Sequence, residues 1–278
     1  MKVLFIADFF RRQHLGGGES NDKNLIDYLN SKGVKVVEKN SNLVIPSDIL
    51  KYKKIIVGNF VLLSAECKEA LIRQKNYIIY EHDHKYLATR DPSKFFNFQI
   101  APEHVINKAF YENAQCVVVL SKVCAEILKS CIPRAVIHNI GCSLWSSDTL
   151  SFLKESGKCE KVHDYGILKS SNATKNYIKT KQLCTARGIA PFEMNSSDYY
   201  EFLSLLGSCE TFIFVPTVLE TFSRVCAEAK MLNTQVQTIK KLIGFYSEDY
   251  SSLQGEALID KINEKNNQAY EFFWSLVK

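Results

Sequence analysis

The chain has 278 residues, 46% hydrophobic and 23% charged, with 6 prolines and 12 glycines; this globular composition excludes a disordered or collagen-like chain and allows roughly two domains. No apolar run approaches the roughly 18 residues that span a bilayer and no leader pattern opens the chain, so a cytosolic protein with no membrane partner is expected. Nine cysteines without a C-x-x-C pair signal neither a disulfide framework nor a zinc knuckle, and the net charge of +5 is uneven, with 20 Lys and Arg against 14 Asp and Glu in residues 1–142 and 15 against 16 in residues 143–278. A basic half beside a neutral one favours an anionic partner for the first half.

Lys2–Ala7 reads as a buried strand, followed by a polar loop and Gly16-Gly17-Gly18. Ser20 or Asn21 then caps a helix with Leu25, Ile26 and Leu29 at helical spacing, which ends at Gly33. Val34–Val37, Ile55–Val57, Tyr77–Tyr80 and Cys116–Leu120 read as further strands, with helices at Ser64–Gln74 and Pro102–Asn113. A second series follows Asn139-Ile140-Gly141: a strand at Val162–Gly166, a helix at Thr174–Arg187, a strand at Thr211–Val215, a helix at Thr221–Leu232 and a weaker strand at Gln235–Gln237. Leu258–Lys278 has helical periodicity and carries Phe272, Phe273 and Trp274, which near a chain end need a docking surface. Alternation of strands and helices predicts an α/β protein of two doubly wound domains. The expected boundaries are 1–142, joined by the last helix at about 262–278, and 143–261.

Ligands of such sheets bind beyond the carboxyl ends of the strands, which singles out four loops. Gly16-Gly17-Gly18-Glu19 lacks both the G-x-G-x-x-G and the Walker pattern, yet its missing Cβ atoms let backbone N–H groups approach a phosphate. Glu81-His82-Asp83-His84-Lys85 gathers five ionisable residues after a strand. The H-x-H pair has no further His or Cys at ligand spacing, so substrate contacts or catalysis are expected there rather than metal, with a surface loop as the plain alternative. Gly166–Asn176 carries Lys169 and Lys175 into a helix, suited to a diphosphate or merely solvated. In Pro216–Lys230, Glu220 falls at a strand-to-helix junction and Glu228 among small apolar residues, with Thr221, Phe222 and Ser223 at the expected helix start. Eight helical residues would separate the two carboxylates by about 12 Å.

Together these residues resemble the retaining, nucleotide-sugar-dependent glycosyltransferases of the GT-B class marked by an E-x7-E motif, which Glu220 and Glu228 match. The resemblance implies two Rossmann-like domains with the donor cleft between them. It further implies donor-sugar contacts at Glu220, ribose contacts at Glu228, and diphosphate contacts at Lys175 and at Gly17 and Gly18, with an active-site histidine at His82 or His84 and Asp83 beside them. The class commonly has an Arg after the glycine that stands here as Gly166; Ile167 occupies that place and Lys169 is the expected substitute. Tyr80–Tyr86 followed by Arg90-Asp91-Pro92-Ser93 looks like the compact glycosyltransferases of tailed phages.

The implied reaction is retaining transfer from a nucleoside diphosphate sugar to an acceptor hydroxyl, without a cofactor, and without a metal because no D-x-D motif is present. The favoured acceptor is a hydroxymethylated pyrimidine in DNA, gripped by Arg11, Arg12, Lys85, Arg90 and Lys94. The alternatives are a glycan or protein acceptor, a sugar-nucleotide epimerase or phosphorylase on the same fold, and a non-catalytic nucleotide- or nucleic-acid-binding module.

Overall fold

The structure, a computed structural model, describes residues 2–278. Contacts divide the chain into one unit of the residues up to Trp145 with Lys265–Lys278, and a second of Ser146–Glu264.

In the first unit the elements are β1 (Lys2–Ala7), α1 (Gly17–Ser31), β2 (Lys35–Asn40), α2 (Pro46–Ile49), β3 (Lys54–Val57), α3 (Ala65–Gln74), β4 (Tyr77–Tyr80), α4 (Lys108–Glu112), β5 (Cys116–Val119), α5 (Lys122–Cys131) and β6 (Ile137–Asn139). The six strands form a parallel sheet in the order β2-β1-β3-β4-β5-β6. Val3 to Ala7 are fully buried, as a central parallel strand covered on both faces requires. Each large apolar side chain so buried contributes about 1.5–3 kcal/mol.

The second unit holds α6 (Ser147–Ser156), β7 (His163–Leu168), α7 (Tyr177–Ala186), β8 (Phe192–Met194), α8 (Tyr199–Gly207), β9 (Cys209–Phe214), α9 (Arg224–Met231) and β10 (Gln235–Thr238), in a parallel sheet of order β10-β9-β7-β8. In each sheet the first strand lies between the second and the third, so the order reverses at β1/β3 and at β7/β9. Each reversal opens a crevice at the carboxyl ends of the strands of its own sheet.

The last helix, α10 (Gly255–Val277), starts three residues before the expected periodic stretch. Its final residues pack within the first unit: Ala269, Phe273 and Val277 are buried, Tyr270 stacks on Tyr28 at 4.5 Å, and Phe273 meets Tyr80 edge-on at 4.8 Å. Asn266 donates to the Trp145 carbonyl at 2.6 Å and accepts from the Trp145 N–H at 3.2 Å, satisfying the backbone of a fully buried tryptophan.

Three local expectations change. Helix α1 begins inside the glycine run at Gly17, with Gly16 as its extended N-cap, rather than after Ser20 or Asn21. The expected helix over 102–113 breaks up: Val105 forms an antiparallel bridge with Leu87, and Asn107 turns left-handed at φ 55° before α4 starts. Gly166 lies inside β7, which continues to Leu168; a Cβ there would meet the Cys209 sulfur at 2.5 Å.

Candidate functional sites

In the first unit the site forms where α1 starts above the ends of β1, β3 and β4. Within α1 the first backbone bond runs from the Ser20 N–H to the Gly16 carbonyl at 3.0 Å, so the preceding amides of Gly17, Gly18 and Glu19 have no partner inside the helix. The ring of His82, just after β4, packs over Gly18, where a Cβ would sit 3.4 Å from the imidazole Cγ. Its Nε2 meets Asp22 Oδ1 at 2.7 Å, with both side chains buried. Asp22 is one helical turn beyond Gly18 and also lies against Gly58, where a Cβ would come 2.8 Å from its carboxylate. Gly58 thus clears the space for the carboxylate of the His–Asp pair, and that carboxylate fixes the ring orientation.

The other charged residues of the His82 loop have a different setting. Glu81 is buried and accepts from Lys85 Nζ at 2.8 Å, from the Tyr111 hydroxyl, and from the Asp83 and Lys85 amides. Burial acts to raise the Glu81 carboxyl, but the Lys85 ammonium and the Tyr111 hydroxyl outweigh it and hold it below its ordinary range. Asp83 binds Lys85 and Arg90. His84, at φ 57°, turns its Nδ1 to the Tyr86 hydroxyl at 3.0 Å. The two histidines therefore separate: His82 joins the glycine turn, and His84 joins a buried tyrosine cluster.

The expected acceptor cations are corrected accordingly. Lys85 is 2% exposed and neutralises Glu81 and Asp83, so it is no surface cation. Arg12 pairs with Glu38 and Arg90 with Asp83. Arg11 is half-buried with one guanidinium nitrogen lacking a partner, and Lys94 is exposed.

The second unit builds its site at the β7/β9 reversal. Lys169 follows β7 and is exposed, 3.7 Å from Glu193. Asn172 caps a short 3-10 turn, Ala173–Lys175, and Asn176 turns left-handed at φ 56° before α7. The turn is held against the segment after β9: the Thr217 N–H donates to the Thr174 carbonyl at 3.0 Å, and Asn176 Nδ2 to the Val215 carbonyl at 2.9 Å. Lys175 Nζ consequently reaches both oxygens of Glu220, at 2.8 and 2.9 Å. Glu220 is itself fixed by a backbone bridge to Ile243.

Glu220, Thr221, Phe222 and Ser223 are not helical, which corrects the expectation of eight helical residues between the two glutamates. Ser223 is left-handed at φ 69° and caps α9, while the Phe222 ring is buried against Phe245 at 5.5 Å. Glu228 is buried, accepting from the Tyr199 hydroxyl and lying 3.4 Å from Arg224 Nε; Arg224 in turn donates to that hydroxyl at 3.0 Å. Burial pushes the Tyr199 phenol well above its ordinary value, so it remains a hydrogen-bond donor to the carboxylate.

Asp22, Tyr199 and Arg224 are the residues that sequence reasoning missed. Asp22 carried a signal: with Leu25, Ile26 and Leu29 it lies on the buried stripe of α1, where an unneutralised carboxylate is costly. Tyr199 is 29 residues from Glu228 and carried none.

No family model matches the chain, and no curated protein matches it by sequence. Among solved structures it is similar to Anabaena HepE in complex with UDP, at 13% identity over 99% of this chain and 100% of that one, with a TM-score of 0.54. It is also similar to an alpha-glucosyltransferase in complex with UDP and a 13-mer DNA containing a central A:G mismatch, at 10% identity, 98% and 94% coverage and a TM-score of 0.53. OtsA is a third, at 6% identity, 100% and 99% coverage and a TM-score of 0.59. These are GT-B glycosyltransferases, and the fold of this chain is GT-B.

Proposed function

We infer that the chain is a nucleotide-sugar glycosyltransferase whose donor is held by the second unit. The carrying observation is the Lys175–Glu220 pair at the β7/β9 reversal, with Glu228 buried on the following helix. An ammonium has three donors, so two bonds to Glu220 leave Lys175 an N–H for a phosphate oxygen. Glu220 offers acceptors to sugar hydroxyls and Glu228 to a ribose. That two solved proteins of this fold are in complex with UDP supports the donor class.

In the proposed step the bond from the anomeric carbon to the diphosphate breaks and the acceptor oxygen bonds that carbon on the same face. Bonding on the face that the diphosphate leaves gives retention, and the acceptor proton passes to the departing phosphate. Lys175 stabilises the charge that grows on that phosphate. No side chain becomes a covalent nucleophile and no metal is required, so EDTA is expected to leave transfer intact; strict dependence on added Mn²⁺ or Mg²⁺ would overturn that point.

For the acceptor we favour a hydroxymethylated pyrimidine of DNA, supported by the basic excess of residues 1–142 and by a protein of the same fold in complex with DNA. A thermal-shift panel of nucleotide sugars identifies the donor, and incubation with hydroxymethylcytosine DNA or with saccharides, followed by mass spectrometry, identifies the acceptor. No donor raising the melting temperature would sink the transferase reading; hexose transfer to a saccharide but not to the modified base would replace DNA by a glycan.

A further inference from the structure

Outside these sites, the second unit has a half-open cavity of about 400 Å³ beside its edge strand β10. Lys230, Lys240, Gln235, Tyr246, Ser251 and Ser252 are among the residues that line it, and no carboxylate is among them. Lys230 follows Glu228 by two positions on α9, about 200° round the helix, so it leaves the face that holds Tyr199. It is 8% exposed, its Nζ donates to the Ser251 carbonyl, and the ammonium lies 6.0 Å from the Phe245 ring centre. Lys240 places its ammonium 5.4 Å from the centre of the Tyr246 ring.

Among the described residues neither lysine forms an ion pair with a carboxylate. Burial and then the neighbouring Lys240 both push the Lys230 ammonium below its ordinary range. Two cations held at one cavity without a counter-charge repel each other, and burial makes that repulsion worse. A bound dianion would relieve both effects. The hydroxyls and amides of the lining suit a polyhydroxylated body attached to it, and the volume lies within the usual range for small-molecule sites.

We propose that this cavity is a binding site for a phosphomonoester of monosaccharide size, its phosphate held between Lys230 and Lys240 and its hydroxyls by the serine and glutamine side chains. The site stands independently of the donor reading. It is tested by calorimetric titration of the whole chain with glucose 6-phosphate and with inorganic phosphate at constant ionic strength, on wild type, Lys240→Gln and Lys175→Gln. Lys240 is exposed, so Lys240→Gln should fold, which its melting temperature without ligand verifies.

The expected result is saturable binding that Lys240→Gln weakens about tenfold or more and Lys175→Gln leaves unchanged. Unchanged affinity in Lys240→Gln, or the absence of any saturable heat in wild type, overturns the site. Loss in Lys175→Gln with Lys240→Gln intact moves the phosphate to the β7/β9 loops and overturns it too. Equal affinity for inorganic phosphate overturns the sugar half of the assignment.

Discussion

Glu220 and Glu228 carry the same charge in different surroundings, and their substitutions should separate. Glu228 is closed in by Tyr199 and Arg224, so Glu228→Gln leaves the guanidinium without its carboxylate. A hydrogen bond to a charged group contributes about 1.5–3 kcal/mol, so the donor Kd should rise roughly 10- to 150-fold in titration calorimetry. Glu220→Gln should instead lower kcat with little change in KM, because its contacts fall on the reacting sugar; equal losses of affinity in both variants would contradict the division. Lys85 belongs to stability: Lys85→Met strands the buried Glu81 carboxylate and should cost about 3–5 kcal/mol in urea unfolding. Adding Glu81→Gln should recover part of that loss. The sequence placed Lys85 in a charged loop after a strand, but not inside: a lysine becomes internal only through the geometry that brings Glu81 and Tyr111 to it. His82 and His84 were equivalent for the same reason, until Asp22 and Gly18 gathered around one of them.

At the scale of elements, the strands that run through the middle of the sheets were legible as apolar runs, whereas β6 and β8 were not. Each has three residues and lies at a sheet edge, too short and too half-buried for periodicity to register. The true start of α9 was hidden because the left-handed turn at Ser223 leaves no mark in a sequence whose neighbours favour helix. The edge strand β6 nevertheless docks on α10, where His138 stacks on Phe272 at 3.6 Å. Burial lowers the His138 imidazole below its ordinary value, so the unfolded chain binds the proton more tightly. That stabilising contribution is complete above about pH 6.5 and is lost as pH falls from there through the folded value. Urea midpoints at about pH 7.5 and about pH 5.5, bracketing that value, should show wild type losing more stability than His138→Phe, which keeps a stacked ring without a proton to bind. An equal loss in both would assign the pH response elsewhere.

Over the whole molecule, the basic excess of residues 1–142 stands, but most of the cations expected to bind DNA are already paired with carboxylates. Of the five cations expected to grip a strand, Lys85 is buried and Arg12 and Arg90 hold carboxylates, which leaves Arg11 and Lys94. Counterion release makes the number of phosphate contacts measurable, since log K falls with log salt at a slope of about −0.9 per contact on duplex DNA. Two contacts predict a slope near −2 and about a tenfold loss of affinity between 50 and 200 mM salt. Fluorescence anisotropy on a labelled hydroxymethylcytosine duplex gives the slope directly, and Lys94→Gln should reduce it by about one unit. A slope of about −4 or steeper would mean that Arg12 and Arg90 exchange Glu38 and Asp83 for phosphates, restoring a wider basic rim. With only two contacts, electrostatics alone would give weak, sequence-independent association. A DNA acceptor would then have to be selected chiefly by the extruded base itself, and unmodified duplex should bind almost as well as modified duplex while accepting no sugar.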